Sequence, residues 1–315
     1  MAHRVRRART GPASPAGNGE NRRSSKPPED QPPLSTPTVP TTRFVLHPPG
    51  QAYQTDGRNN LWMGAMASEL PVYEPLVAEA VGAYWSARHG QAERSRALGV
   101  LNTGTRAEVT GGRHLDELQA LLIRVFIDAG IPPGLIDVRK RPIAGYFRRD
   151  KSWDVVVMVA NRVVGIIELK SMAGDSPGQN FNNRTDEALG QSLDVWTAVE
   201  RGIIDTPLRP WLGYFMLLED NPAFNTPVHG RRPVWEPDPV FGGASYANRY
   251  AIFFDRMVRE RLLDSACVLL ADRTTGVVQS PSPTLSFQGF AASIHGRCLQ
   301  FMATNPDIDW TGNST

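Results

Sequence analysis

Three residues whose types and spacing could cut a phosphodiester bond are Asp154, Glu168 and Lys170. Phosphodiester hydrolysis needs a nucleophilic water, neutralisation of charge on the phosphate, and support for the leaving oxygen. A Mg²⁺ ion held by carboxylates supplies most of this. Asp154 and Glu168 are the candidate ligands, and Lys170 could orient or deprotonate the water or stabilise the developing charge. Because Asp and Glu-x-Lys at a loose spacing also occur by chance, the elements that carry them must be considered.

The segment that carries these residues, 153–170, is rich in Val and Ile and favours β-structure. The interruption at 160–162 predicts a β-hairpin with strands at about 153–159 and 163–170. With an odd-length loop centred on Asn161, Asp154 faces Glu168 across the ladder, with Cβ atoms roughly 4.5–5.5 Å apart. A two-residue loop would oppose Asp154 to Leu169 and reverse the faces. The proposed chemistry therefore predicts the odd loop.

Two further observations favour a functional site. Like charges opposed on a sheet destabilise it unless a cation lies between them. In addition, of the 34 basic residues only four are lysines, so that a lysine at the required position is seldom an accident. The lysines are Lys26, Lys140, Lys151 and Lys170.

Composition sets the limits on class and domain organisation. The 315 residues are 41% hydrophobic and 21% charged, as in ordinary globular proteins, and no apolar run reaches the length of about 18 residues that spans a membrane. Residues 1–42 are rich in Pro, Ser and Arg, which predicts a disordered arm, either dispensable or a non-specific DNA tether. Residues 43–315 are predicted to form one endonuclease domain, with a helical part at 43–109 and a catalytic core at 110–297.

Charge and cysteine usage narrow the partners and the compartment. The net charge of +2 divides into +4 for residues 1–42 (seven basic, three acidic) and −2 for the remainder (27 basic, 29 acidic), so DNA binding requires a local basic patch. Cys267 and Cys298 are the two cysteines, no CxxC occurs, and no signal peptide is visible. These features predict a cytoplasmic protein.

The predicted elements alternate in a way that indicates an α/β or α+β fold, a sheet covered by helices. Helices are expected at 74–88 and 115–129, from 183 or 185 to 201, and at 245–265 and 287–297. Strands are expected at 211–218 and 266–271, and 221–243 is expected to be a long loop. The third helix is predicted to bury a stripe made of Leu189, Leu193, Trp196 and Val199.

Four segments resemble the XhoI-type restriction endonucleases of the PD-(D/E)XK superfamily. They are GYFRRDKSWDVVVMVANRVVGIIELKSMAG at 145–174, NFNNRTDEALGQSLDVWTAVERG at 180–202, GASYANRYAIFFDRMVRERLLDSACVLL at 243–270 and SFQGFAASIHGR at 286–297. The NNRT-DEALG and ERLLDSAC stretches are far more specific than Glu-x-Lys.

The resemblance implies a type II restriction enzyme with the PD-(D/E)XK fold, a mixed central sheet with a catalytic hairpin flanked by helices. The motif residues correspond to Asp154, Glu168 and Lys170, with Trp153 where the motif has Pro, and the Leu169 carbonyl is a possible third metal ligand. It also implies Mg²⁺, cleavage of a palindromic duplex such as CTCGAG to 5′ overhangs with 5′-phosphates, a homodimer, and a cognate DNA methyltransferase as genetic partner.

Two polar segments flank the hairpin and are candidate DNA contacts. Before it lies a basic patch that could bind phosphates or be a solvated loop. After it, a polar loop could read bases or serve as turn and helix cap. The patch comprises Arg139, Lys140, Arg141, Arg148, Arg149 and Lys151, and the loop Gln179, Asn180, Asn182, Asn183 and Arg184. Weaker candidates are Arg231, Arg232, Asn248 and Arg249, and Glu117 is a possible accessory carboxylate, although a surface charge explains it as well.

Two other functions fit the same residues. One is a DNA repair or recombination nuclease on the same fold, and the other is a non-cutting DNA-binding relative. The intact Asp154, Glu168 and Lys170 argue against the second.

Overall fold

The centre of the fold is a mixed β-sheet built from the most apolar runs of the chain. The computed structural model describes residues 70–97, 115–136, 142–174, 177–206, 208–230 and 234–311. Its strands are β1 (Pro142–Ala144), β2 (Asp150–Ser152), β3 (Val155–Val159), β4 (Arg162–Met172), β5 (Trp211–Glu219), β6 (Ser265–Ala271) and β7 (Val278–Gln279). The sheet has the order β3-β4-β5-β6-β7, while β1 and β2 form a separate antiparallel pair.

Helices cover both faces of this sheet. They are α1 (Glu74–Ala97), α2 (Asp116–Asp128), α3 (Pro177–Glu200), α4 (Pro222–Asn225), α5 (Tyr246–Arg259) and α6 (Phe287–Thr304). Short 3₁₀ turns lie at Pro133–Leu135, Pro239–Phe241 and Pro283–Leu285. Among the described helices, none has the length and apolar character needed to cross a bilayer.

The two faces of the sheet bury separate hydrophobic cores. On one face, Ile167 and Phe215 pack in a core with Phe126 of α2 and Phe290 of α6. On the other, Ile166, Tyr214 and Met216 pack with residues of α3 and α5. Strands β4, β5 and β6 are parallel neighbours and are buried along most of their length, as central parallel strands usually are. The predicted α+β class, a mixed sheet flanked by helices, is confirmed.

The hairpin forms as predicted, but its loop is different. Val159 pairs with Arg162, so that the turn has two residues, Ala160 and Asn161, with φ of 48° and 61°. Positive φ at both positions is typical of the type I′ turn. The predicted odd loop is therefore wrong.

A β-bulge restores the register that a two-residue turn would have lost. Val157 pairs with Gly165, but Met158 pairs with Val163, which leaves Val164 as an extra residue on β4. Beyond the bulge Val155 pairs with Ile167. One extra residue shifts the pairing by one position, so the bulge performs the task that had been assigned to the loop.

The third helix departs from prediction in its start and in its buried face. It begins at Pro177, before either predicted cap. Leu189 and Leu193, expected in the core, are 43% and 54% exposed. The face that α3 buries is Ala188, Gln191, Ser192, Asp194, Val195, Trp196 and Ala198. Trp196 of the predicted stripe does lie on this face, and Val199 packs against the same core. Small or polar side chains and a hydrogen-bonded acid make up most of the rest, so a stripe defined by large apolar residues was right only in part.

Other elements agree with prediction apart from their ends. The helices predicted at 115–129 and 287–297 correspond to α2 and to a longer α6, and the helix predicted at 245–265 ends at Arg259. Several predictions lie outside the described residues, so the division of the chain into 1–42, 43–109 and 110–297 stays a prediction. Also outside are the residues Arg139, Lys140, Arg141, Arg231 and Arg232.

Candidate active site

The end of the hairpin away from its turn brings the two predicted carboxylates together. Asp154 lies immediately before β3, and Glu168 lies on β4. Extending the Val155–Ile167 pair by one residue on each strand opposes Asp154 to Glu168. Side chains alternate along a strand, so Glu168 and Lys170 share the sheet face that α3 and α5 cover.

The side chains of Asp154, Glu168 and Lys170 converge at one point. Lys170 Nζ lies 3.4 Å from Asp154 Oδ2 and also donates to Glu168 Oε1. A backbone group helps to orient Asp154, because the Leu169 N–H donates to Asp154 Oδ2 at 2.8 Å. Two carboxylates are thus held around a single cationic nitrogen.

A second lysine, Lys151, joins this cluster. Its Nζ lies 2.8 Å from Glu168 Oε2, the oxygen that Lys170 does not contact. Sequence reasoning assigned Lys151 to the basic patch and missed this position. The scarcity of lysine, which singled out Lys170, applied equally to Lys151 and could have found it.

Glu168 is the deepest member of the cluster. It is 2% exposed, whereas the side chains of Asp154, Lys151 and Lys170 are 28%, 15% and 20% exposed. Its neighbour across the ladder on β5 is Tyr214. Burial, and after it the charge of Glu168, raises the pKa of Tyr214 well above its usual value, so the phenol stays neutral. Glu168 is therefore packed against a neutral, buried side chain, where an unpaired carboxylate charge would be costly.

Helix α2 contacts the site through a residue that was not predicted. Gln119 Nε2 donates to the backbone carbonyl of Asp154 at 3.3 Å. Glu117, the predicted accessory carboxylate, is exposed on the same helix. In the described ranges, no group of three or more His, Cys, Asp or Glu side chains could hold a metal ion, so Glu117 does not complete a trio with Asp154 and Glu168 in this arrangement.

The described part of the basic patch lies on the segment that leads into the site. Arg148 and Arg149 are exposed, and the side chain of Arg149 is 97% exposed beside Asp150. The segment is fixed by Asp194 of α3, whose Oδ1 accepts the N–H groups of Tyr146 at 3.0 Å, Phe147 at 2.6 Å and Arg148 at 3.4 Å. This anchor was not predicted.

The predicted polar loop is instead the first turns of α3. Gln179, Asn182 and Asn183 are exposed on it. Arg184 is partly buried and paired with Glu187, so its guanidinium is engaged within the helix. The sequence signal for a loop failed because Asn and Gly, frequent in turns, are tolerated near a helix start. Asn180 belongs to the same turns.

The donor set suits a hard divalent cation. Mg²⁺ takes oxygen ligands and is usually held by one or two carboxylates, with waters and substrate phosphate completing its shell. Asp154 and Glu168 supply two carboxylates that already surround one cationic nitrogen. A mixed sheet with helices on both faces and a carboxylate–lysine cluster at the end of a hairpin is the arrangement of a restriction-endonuclease-like fold.

Comparison with known proteins identifies the family. The family described as "Restriction endonuclease XhoI" matches residues 94–281. The chain is 37% identical to the type II restriction enzyme BstVI of Geobacillus stearothermophilus over 61% of this chain and 90% of that enzyme. It is 34% identical to the type II restriction enzyme XhoI of Xanthomonas vasicola over 61% of this chain and 78% of that enzyme. No solved structure matches.

The chain therefore belongs to the XhoI family of type II restriction endonucleases, which are site-specific deoxyribonucleases. Enzymes of this kind bind double-stranded DNA and generally use a divalent metal ion.

Proposed function

We propose that this chain is a Mg²⁺-dependent restriction endonuclease that acts as a homodimer and cuts both strands of the palindrome CTCGAG. The proposed products carry 5′ overhangs and 5′-phosphate ends. The observation that supports this most strongly is the convergence of Asp154 and Glu168 on the ammonium of Lys170. Family membership supports the reaction class, and the target sequence is inferred from the family resemblance.

In this proposal Asp154 and Glu168 hold the metal ion, with the Leu169 main-chain carbonyl as a further oxygen ligand. The ion would neutralise charge on the scissile phosphate and make a water molecule a better nucleophile. The N–H of Leu169 restrains Asp154. Gln119, by binding the Asp154 carbonyl, fixes the backbone from which that side chain extends.

Lys170 acts on the water and on the phosphate. An ammonium has three N–H donors and no acceptor. In its charged form Lys170 therefore orients the water by hydrogen bonding and stabilises the negative charge that develops on the phosphate. Its contacts with Asp154 and Glu168 support this role, because they keep Lys170 beside the two carboxylates that would hold the metal ion.

The proposed DNA contacts lie on both sides of this cluster. Arg148 and Arg149 are exposed on the segment before the hairpin, where contacts to phosphates would position the strand. The exposed amides of α3, with Asn180 and Arg184 beside them, are proposed to read base edges. Lys140 and Arg141 are proposed phosphate contacts on sequence grounds alone.

A palindromic target has a two-fold axis, so a homodimer would place one active site on each strand. An enzyme that cuts this palindrome would also cut the same sequence in the host chromosome unless those sites were protected. We therefore expect the enzyme in the cytoplasm, with a cognate methyltransferase as its genetic partner.

The test is a digest of plasmid DNA that carries one CTCGAG site, followed by sequencing of the ends. The wild-type protein with Mg²⁺ is expected to linearise the plasmid. Asp154→Ala is expected to bind the same duplex but to cut it at least about a hundredfold more slowly, since it removes a metal ligand. Asp205→Ala, which removes an exposed carboxylate from the loop after α3, is the matched control and should cut like wild type.

The other possible outcomes would overturn either the site or the function. Retained cleavage by Asp154→Ala would show that Asp154 is not part of the active site. Cleavage confined to branched or damaged DNA would indicate a repair or recombination nuclease, and binding without any Mg²⁺-dependent cutting would indicate a non-cutting relative.

A further inference from the structure

The two oxygens of Glu168 each have their own ammonium partner. Lys170 contacts Oε1, and Lys151 contacts Oε2. Lys170 is shared with Asp154, whereas the described carboxylate bonded to Lys151 is Glu168. With two carboxylates and two ammoniums, the cluster is neutral without any metal.

Lys151 is held in this position by its own surroundings. It is the central residue of β2, and it is less exposed than Asp150 and Ser152 on either side of it. Its Nζ also donates to the Ser152 carbonyl at 3.3 Å and lies 4.3 Å from the centroid of the Trp153 ring. Trp153 is 3% exposed, so the Lys151 ammonium makes a cation–π contact with a buried ring.

A divalent cation and the ammonium of Lys151 would compete for the same carboxylate, that of Glu168. A metal ion bound to Glu168 neutralises the carboxylate and competes for the lone pairs to which Lys151 donates. Lys151 would then need another anion, and the scissile DNA brings a phosphate to this site. Because an ammonium is a compact charge on a flexible four-carbon stem, it can change partner without movement of the backbone.

We infer that Lys151 is a positioning residue that acts as a replaceable counter-ion: it holds Glu168 in the free enzyme, opposes metal binding there, and transfers to a DNA phosphate when the duplex binds. This inference rests on the proposed function, because it requires a metal at Glu168. Its consequence is that metal and DNA bind cooperatively, so the free enzyme has less metal in its site than the DNA complex.

The experiment measures Ca²⁺ binding by calorimetry on the full-length protein, with and without a CTCGAG duplex. Calcium takes the same oxygen donors, and binding is read without any cleavage measurement. In free protein, Lys151→Met is expected to bind Ca²⁺ roughly tenfold more tightly than wild type, because one competing and largely buried charge is removed. With duplex present, the two affinities should approach each other.

Two matched variants accompany it. Lys151→Arg keeps the charge and should bind Ca²⁺ within about twofold of wild type in free protein. Arg259→Met removes a cation on α5 whose side chain is 73% exposed, and it should leave Ca²⁺ affinity in free protein unchanged. If Lys151→Met failed to fold, Lys151→Gln would provide the same loss of charge.

Glu168→Gln separates the two hypotheses. If this variant loses Ca²⁺ binding while Lys151→Met binds Ca²⁺ like wild type, the counter-ion role is overturned and the metal site stands. If Ca²⁺ binding is absent, or is insensitive to Glu168→Gln with and without duplex, the proposed metal site and the role of Lys151 are both overturned.

Discussion

Glu168 and Asp194 are both almost fully buried, at 2% and 3% exposure, but their partners differ in kind. Glu168 is neutralised by two lysine side chains, which can rotate away. Asp194 accepts three consecutive backbone N–H groups, which cannot leave without unfolding the segment. Side-chain partners make a carboxylate available to another cation, whereas backbone partners make it a fixed part of the structure. The first arrangement suits function and the second suits architecture.

The space around Asp194 supports this distinction. A Cβ atom added at Gly145 would lie 2.2 Å from Asp194 Oδ2 and 2.9 Å from the Arg148 carbonyl oxygen. Only glycine leaves room for the carboxylate at this close approach. The acid, the glycine and the turn at 146–148 therefore form one unit that presents Arg148 and Arg149 next to the candidate active site.

The largest effect is predicted for Asp194→Ala. It leaves three backbone N–H groups without their acceptor in a poorly solvated place, and we expect a loss of about 3 kcal/mol in the free energy of unfolding, measured by urea denaturation. Calcium affinity in free protein should stay within about threefold of wild type, because Glu168 and Lys151 are untouched. The opposite result, with unchanged stability and lost Ca²⁺ binding, would show that Asp194 belongs to the metal site and does not mainly stabilise the fold.

The control for Asp194→Ala is Asp186→Ala on the same helix. Asp186 is exposed, and its removal should change stability by no more than about 0.5 kcal/mol.

Much of the site could be predicted from the sequence because its signals are local. The alternation of a strand placed Glu168 and Lys170 on one face, and two apolar runs with a break between them predicted the hairpin. The bulge at Val164 could not be predicted, since a single extra residue leaves no trace in a continuous run of Val and Ile. The predicted pairing of Asp154 with Glu168 was therefore right, but the predicted loop that was to produce it was wrong.

Contacts between distant segments account for the rest. Lys151 reaches Glu168 across 17 positions and Asp194 reaches Phe147 across 47, and no local pattern encodes either pair. For the same reason Asp194 was not recognised as a buried residue. An acid is normally expected on the surface, and only its three backbone donors, from a segment far away in the sequence, make its burial favourable.

A smaller effect is predicted at the turn of the hairpin, the end away from Glu168. Ala160 has φ of 48°, which is unfavourable for Ala and well tolerated by Asn. Ala160→Asn is therefore expected to raise the free energy of unfolding by up to about 1 kcal/mol in urea denaturation. The rate of plasmid cleavage should not change, because the bulge and the pairing with β5 hold the register at the site.

A changed cleavage rate would mean that the turn and the active site are coupled. An unchanged cleavage rate with a higher free energy of unfolding would show that the turn end of the hairpin affects stability alone, whereas the other end carries the cleavage site.

The smallest effect is predicted for Asp272, a half-buried counterpart of the fully buried Asp194. Asp272 Oδ1 accepts the N–H groups of Thr275 at 2.9 Å and Thr274 at 2.6 Å, and these bonds, from Thr275 first, hold the pKa of the carboxyl below its usual value. A folded-state pKa that is lowered adds stability at pH values above the unfolded pKa of about 3.9, and this stability is lost as the pH falls through the folded pKa. Asp272→Asn keeps an oxygen acceptor but removes the charge. The melting temperature of the variant should therefore fall slightly below that of wild type at pH 6 to 7, and the two should converge in acid.

Equal melting temperatures at every pH would contradict this prediction. They would show that backbone donors stabilise a carboxylate only where water is excluded, as at Asp194, so that the comparison would hold for buried acids alone.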